Sequence, residues 1–177
     1  MNQANVKFSY KKYYAFRNKI HTTFGARFYS DMALDNVMRA LTYGDTQPAV
    51  VLSASPLVIA AYSDEMDAVV LLSYPEEFAQ LYSLSAGSRL TVSATYAYGD
   101  AVVPDIFPGE DFSWKFVDFM PLVQLFLGKK DEKIREKAAL FGEDVWEKVT
   151  SLGEKYLAEH SDLIRDGFYY LKKKKKK

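Results

Sequence analysis

The sequence predicts an α+β fold: a single domain over residues 1–171 in which a mostly antiparallel sheet is covered by a long C-terminal helix and shorter helices. Three observations carry this expectation. Apolar runs rich in Val, Leu and Ile at 49–54, 57–62 and 68–73 follow one another closely, and Ser63-Asp64-Glu65-Met66-Asp67 separates the last two as a hairpin loop does. Leu90, Val92, Ala94, Tyr96 and Tyr98 alternate with Thr91, Ser93, Thr95 and Ala97, the period of a strand. Ile134, Ala138, Phe141, Val145, Val149, Leu152 and Tyr156 recur at three- and four-residue steps, the period of a helix with one apolar face.

In chain order, Val6, Phe8 and Tyr10 alternate with Lys7, Ser9 and Lys11, which predicts a strand. From Tyr13 the spacing lengthens through Phe16, Ile20 and Phe24 toward Gly25, as in a short helix. Ser30 can cap a second helix whose stripe is Leu34, Val37, Met38 and Leu41, closed by Gly44. Gly44 to Pro48 reads as a turn before the three apolar strands, whose near-continuous apolarity predicts cover on both faces. Pro75, Glu76 and Glu77 start a helix with Phe78, Leu81 and Tyr82 inward. The polar alternates of the strand at 90–98 are expected to face water. Residues 100–111, with Pro104, Pro108 and Gly109, read as a loop, 112–116 as a short strand and 121–127 as a helix closed by Gly128. The C-terminal stripe crosses Gly142, where a break would leave two collinear helices in place of one, and 168–171 can add a last strand. Lys172 to Lys177 have no packing role and are expected to form a disordered tail.

Formal charge totals zero but is segregated: +6 over residues 1–30, −10 over 31–128, −2 over 129–171 and +6 in the terminal lysines. Such a distribution steers encounters through local fields that the total conceals. The chain has no cysteine, which excludes disulfides, thiolate metal sites and cysteine nucleophiles. Its two histidines, His21 and His160, leave any metal to carboxylates. No apolar stretch is long enough to span a bilayer or to act as a secretory signal, so the expected compartment is the cytoplasm.

Catalytic signatures are missing: there is no G-x-S-x-G, no phosphate-binding G-x-x-x-x-G-K-[ST], no G-x-G-x-x-G and no H-E-x-x-H, and no metal or cofactor is expected. Pro104-Asp105 with Asp131-Glu132-Lys133 imitates a nuclease pattern, but the second group falls at a helix start. Close carboxylates can split their pKa values into acid and base roles, which makes Asp105, Glu110 and Asp111 catalytic candidates, with Asp64, Glu65 and Asp67 behind them. His160, Asp162, Arg165 and Asp166 also cluster, although a histidine at a helix end is explained by the dipole. Lys7, Lys11, Lys12, Arg17, Lys19 and Arg27 are interleaved with eight aromatic residues, a composition suited to phosphates and stacked bases. Three functions follow as expectations. The first is a non-enzymatic intracellular binding or regulatory protein whose acidic middle meets a protein partner, a basic one by charge; the second is a nucleic-acid-binding protein using the basic N-terminal segment; the third is a carboxylate-dependent enzyme.

Overall fold

The computed structural model describes residues 2–15 and 31–167. Its centre is an antiparallel sheet of six strands: β1 (Asp45–Ala54), β2 (Leu57–Ser63), β3 (Ala68–Tyr74), β4 (Arg89–Ala97), β5 (Phe107–Pro108) and β6 (Asp118–Val123), in the order β5-β3-β2-β1-β4-β6. A seventh strand, β7 (Arg165–Asp166), joins in parallel, so that β5 pairs with Ala68 and Val69 while β7 pairs with Leu72 and Ser73 of β3. Besides the helical residues 10–15, the helices are α1 (Asp31–Tyr43), α2 (Glu77–Leu81), α3 (Gln124–Leu127), α4 (Asp131–Glu136) and α5 (Glu143–Glu159), with a 3-10 turn at Lys137–Leu140 between the last two. The chain is thus one α+β domain. Among the described residues no helix is long and apolar enough to cross a membrane.

The two-residue period of the strands divides the buried side chains between two cores. Val51, Ile59, Val70, Val92 and Phe119 face one side, where Val6, Leu41, Phe78, Phe126 and Ile134 cover them. Val50, Val58, Ala60, Tyr62, Val69 and Leu71 face the other, against Trp146, Val149 and Tyr156 of α5. The double cover expected of near-continuous apolar strands is therefore present. Gly153 lets α5 approach this closely: a Cβ there would lie 2.5 Å from the Cβ of Ala60. At its start α5 is tied to the sheet by Arg89, which forks onto Glu143 at 2.6 and 2.5 Å and lies over the Trp146 ring.

Several elements differ from the sequence expectation, each for a physical reason. Residues 6–10 form no strand; Phe8 makes one isolated bridge to Gly128, and residues 10–15 are already helical. Residues 45–48 belong to β1. Pro48 is tolerated because it pairs with Thr91 on one side only, the pairing of β1 with β2 beginning at Ala49. Pro121 likewise lies in β6, an edge strand, opposite Ala94, so the helix expected from residue 121 begins at Gln124. Residues 112–116 form no strand and turn at Trp114 and Lys115, and Leu81 is exposed while Phe78 and Tyr82 are buried.

The first half of the polar face of β4 is dry, while Thr95 and Ala97 are half-buried: Thr91 and Ser93 are buried around Gln124, whose Nε2 donates to Val92 O, Ser93 Oγ and Thr46 Oγ1, and whose Oε1 accepts from Thr91 Oγ1. The C-terminal stripe does not serve one core. Phe141 and Gly142 are extended, so Ile134 joins the first core and Val149 and Tyr156 the second. The helix expected from Tyr13 to Gly25, the strand expected at 168–171 and the lysine tail lie wholly or mostly outside the described residues.

Candidate functional site

The loop between β4 and β6 carries the catalytic candidates, and two buried ionic ties fix it. Arg165 in β7 points a nearly sequestered guanidinium at Asp105, donating from Nε at 2.8 Å and from Nη2 at 2.5 Å. The same Nη2 reaches Asp118 at 3.1 Å, and Nη1 donates to the Phe119 carbonyl. Both oxygens of Asp105 are therefore held by one planar fork, the strongest geometry a carboxylate finds in a protein. The Tyr156 hydroxyl adds a contact to the Asp105 carbonyl at 3.1 Å.

The second tie is Asp67, a left-handed residue at the end of the β2–β3 turn. Its buried carboxylate accepts from the Tyr62 hydroxyl at 2.6 Å, from Lys148 of α5 at 2.5 Å and from the Asp111 backbone N–H at 2.7 Å. Burial by itself would raise its pKa, yet these three donors hold the carboxyl below its ordinary value. Burial and the hydrogen bond to Asp67 push the Tyr62 hydroxyl far up. Gly109 N and Ser113 N donate to the carbonyls of Asp67 and Met66, so residues 109–113 run along the β2–β3 turn.

This places the candidate acids plainly. Asp105 is locked to Arg165, whereas Glu110 and Asp111 are exposed on the part of the loop that follows the β2–β3 turn. Among the described residues no group of three or more His, Asp or Glu side chains is placed to hold a metal ion. Asp131 is engaged by Lys12 at 2.6 Å, away from Asp105. His160 is the C-cap of α5, with its ring near Phe107 and Tyr156, and Arg165 serves the loop rather than its sequence neighbours.

What the fixed loop displays is aromatic. Trp114 is 80% exposed and Tyr98 77%. Trp114 stands edge-on to Phe112 at 4.9 Å, and Tyr98 leans on Phe116, which is buried and stacked on Tyr96 at 4.6 Å. Phe112 and Phe116 root this pair of rings in the first core. Around them lie exposed Asp64, Asp100, Glu110 and Asp111, half-buried Glu65 and buried Asp45. Burial, then Glu65 and Asp64, raise the Asp45 pKa, which marks a crowded negative potential. Lys115 partly offsets it, bonding Glu65 at 3.2 Å above the Phe116 ring.

The basic candidates have scattered. Lys12 is spent on Asp131 and on the Leu125 carbonyl, Lys11 is exposed on the helical residues 10–15, and Arg17, Lys19 and Arg27 lie outside the described residues. Of the basic candidates among the described residues, Lys7 meets other cations: with Lys129, Lys130, Lys133 and Lys137 it lines a cavity of about 310 Å³ together with Asn5, Val6 and Ile134. Sequence reasoning missed both features. The alternation Phe112, Trp114, Phe116 reads as a strand, and the four-residue steps of Lys129, Lys133 and Lys137 were visible, but the approach of Lys7 was not. No family model matches the chain, and neither the curated proteins nor the solved structures contain a match.

Proposed function

We propose that this is a non-enzymatic, intracellular binding protein that docks a basic segment of a partner protein on the acidic aromatic face around Trp114. The observation that carries this reading is the exposure of Trp114 and Tyr98 on a loop fastened by buried ionic ties. A large ring held out in water costs hydration free energy, and aromatic side chains are the commonest anchors of protein interfaces. The surrounding carboxylates select the charge of the partner, since a cation over an indole face gains both Coulombic and cation–π attraction. A preordered loop also lowers the entropy lost on binding.

The test is an array of synthetic twelve-residue peptides in matched cationic, neutral and anionic sets, followed by Trp fluorescence. The two tryptophans separate the signal, because Trp146 is 3% exposed and Trp114 is open to solvent. Cationic peptides are expected to bind, to blue-shift the Trp114 emission and to lose at least tenfold in affinity on Trp114→Ala. Equal binding of all three sets, or affinity indifferent to Trp114→Ala, overturns the proposal.

A further inference from the structure

Five lysines lining one cavity is a concentration of like charge that the fold must hold together. The N-terminal segment brings Lys7 to the loop after α3 through a bond from Lys129 N to the Lys7 carbonyl at 2.7 Å and the Phe8–Gly128 bridge. Gly128 is required there, since a Cβ would collide with Val6 and Ile134. Lys130 adopts a left-handed conformation, φ 63°, and turns the chain into α4. Lys133 and Lys137 then follow at a four-residue step, a spacing at which like charges repel.

No acid lines the cavity; of the acids adjoining its lysines in sequence, Asp131 is bonded to Lys12, and Glu132 and Glu136 are exposed. Among the described residues, no salt bridge engages Lys7, Lys129, Lys130 or Lys133. Lys137 closes the inner end, its ammonium bonded to the Ala4 carbonyl and to Gln124 Oε1. Its desolvation lowers its pKa, a cost that an anion placed beside it would offset.

We infer that this cavity binds a compact anion carrying several phosphates. Its volume lies at the low end for small-ligand sites and is too small for a duplex groove. Its cations are all lysines, point charges that suit tetrahedral phosphate oxygens without the planar pairing of an arginine fork. Its lining includes no aromatic ring, so nothing in it stacks a nucleobase, and the recognised part of the ligand is the phosphate chain.

The experiment is titration of the full chain with inorganic triphosphate, read by calorimetry and by thermal unfolding at fixed ionic strength. Lys172 to Lys177 are each replaced by Gln in every protein compared, so that the terminal lysines do not contribute. Saturable one-to-one binding that raises the melting temperature is expected. Lys130→Gln with Lys133→Gln should weaken it at least tenfold, whereas Arg39→Gln with Lys155→Gln, equal in charge and outside the cavity, should leave it within twofold. Equal losses in the two double variants, no binding beyond that of sulfate, or a single-stranded RNA that competes as well per phosphate would each overturn the proposal. Melting of the unliganded variants, expected to be unchanged or higher, separates lost binding from lost folding.

Discussion

Asp67 and Arg165 show how much one buried charge can organise. Each gathers backbone and side-chain groups from segments far apart in sequence, and each makes sense only with its partners in place. Replacing Arg165 by Leu should cost about 3–5 kcal/mol in urea unfolding, because Asp105 and Asp118 would be left facing one another without their cation. The two shifted aspartates predict the shape of the acid limb. The lowered Asp67 stabilises the fold at pH values above its unfolded value, near 3.8, and that contribution disappears as pH falls through the folded value below it. The raised Asp45 acts oppositely: its ionisation opposes folding at neutral pH, and protonation relieves the cost as pH falls toward 3.8. Thermal unfolding from pH 7 to 2.5 should therefore show Asp45→Asn more stable than the parent at pH 7 with the advantage gone below pH 3.8, and Asp67→Asn less stable at pH 7 with a flatter acid limb. A parallel loss in both variants would mean that neither titration drives the profile. None of these roles was legible in the sequence, where Asp67 reads as an ordinary turn aspartate and Arg165 as a charge clustered with its neighbours Asp162 and Asp166, since their meaning depends on contacts between distant positions, 81 apart in the Asp67–Lys148 pair.

The contest between helix propensity and packing is sharpest in α5. Gly153 weakens an isolated helix by about 1 kcal/mol relative to Ala, so Gly153→Ala ought to be stabilising if local preference decided. The added methyl would meet Ala60 on a strand that has no room to withdraw, and overpacking of this kind costs about 1–3 kcal/mol. Net destabilisation is expected, measured as a lower urea midpoint with an unchanged slope. A higher midpoint would show that α5 can slide outward at little cost. The same contest explains which elements the sequence revealed. The hairpin of β2 and β3, the alternation of β4 and the stripe of α5 are written in period, which each element imposes on itself. Pro48 and Pro121 misled because their tolerance depends on which side of a strand has a neighbour. Thr91 and Ser93 misled because a single buried amide, Gln124, replaces the water that their hydroxyls would otherwise need. The acidic middle was legible as composition; the placing of Trp114 and Tyr98 within it was not, since turns of this kind carry no period.

At the scale of the whole molecule, the two proposed sites keep opposite charges apart, the acidic face around Trp114 on one hand and the cavity lined by Lys7 and Lys133 on the other. Docking on the acidic face should weaken as salt rises, while the contribution of the Trp114 ring persists, so the affinity for a cationic peptide is expected to fall to a plateau between 50 and about 500 mM salt. A continued fall toward zero would reduce the face to a diffuse field. The order of the strands sets a further condition on the molecule's history. Leu72 and Ser73 of β3 are paired on their outer side by β7, which comes after every other described strand, and β7 also brings the arginine that neutralises Asp105 and Asp118. Until that segment has been synthesised, the strand next to it offers unpaired peptide groups, and Asp105 in the loop and Asp118 at the start of β6 repel instead of docking. Translation therefore completes the pairing of β3 last among the described strands, and a chain ending before Arg165 is expected to aggregate more readily on refolding than the full chain, measured by light scattering.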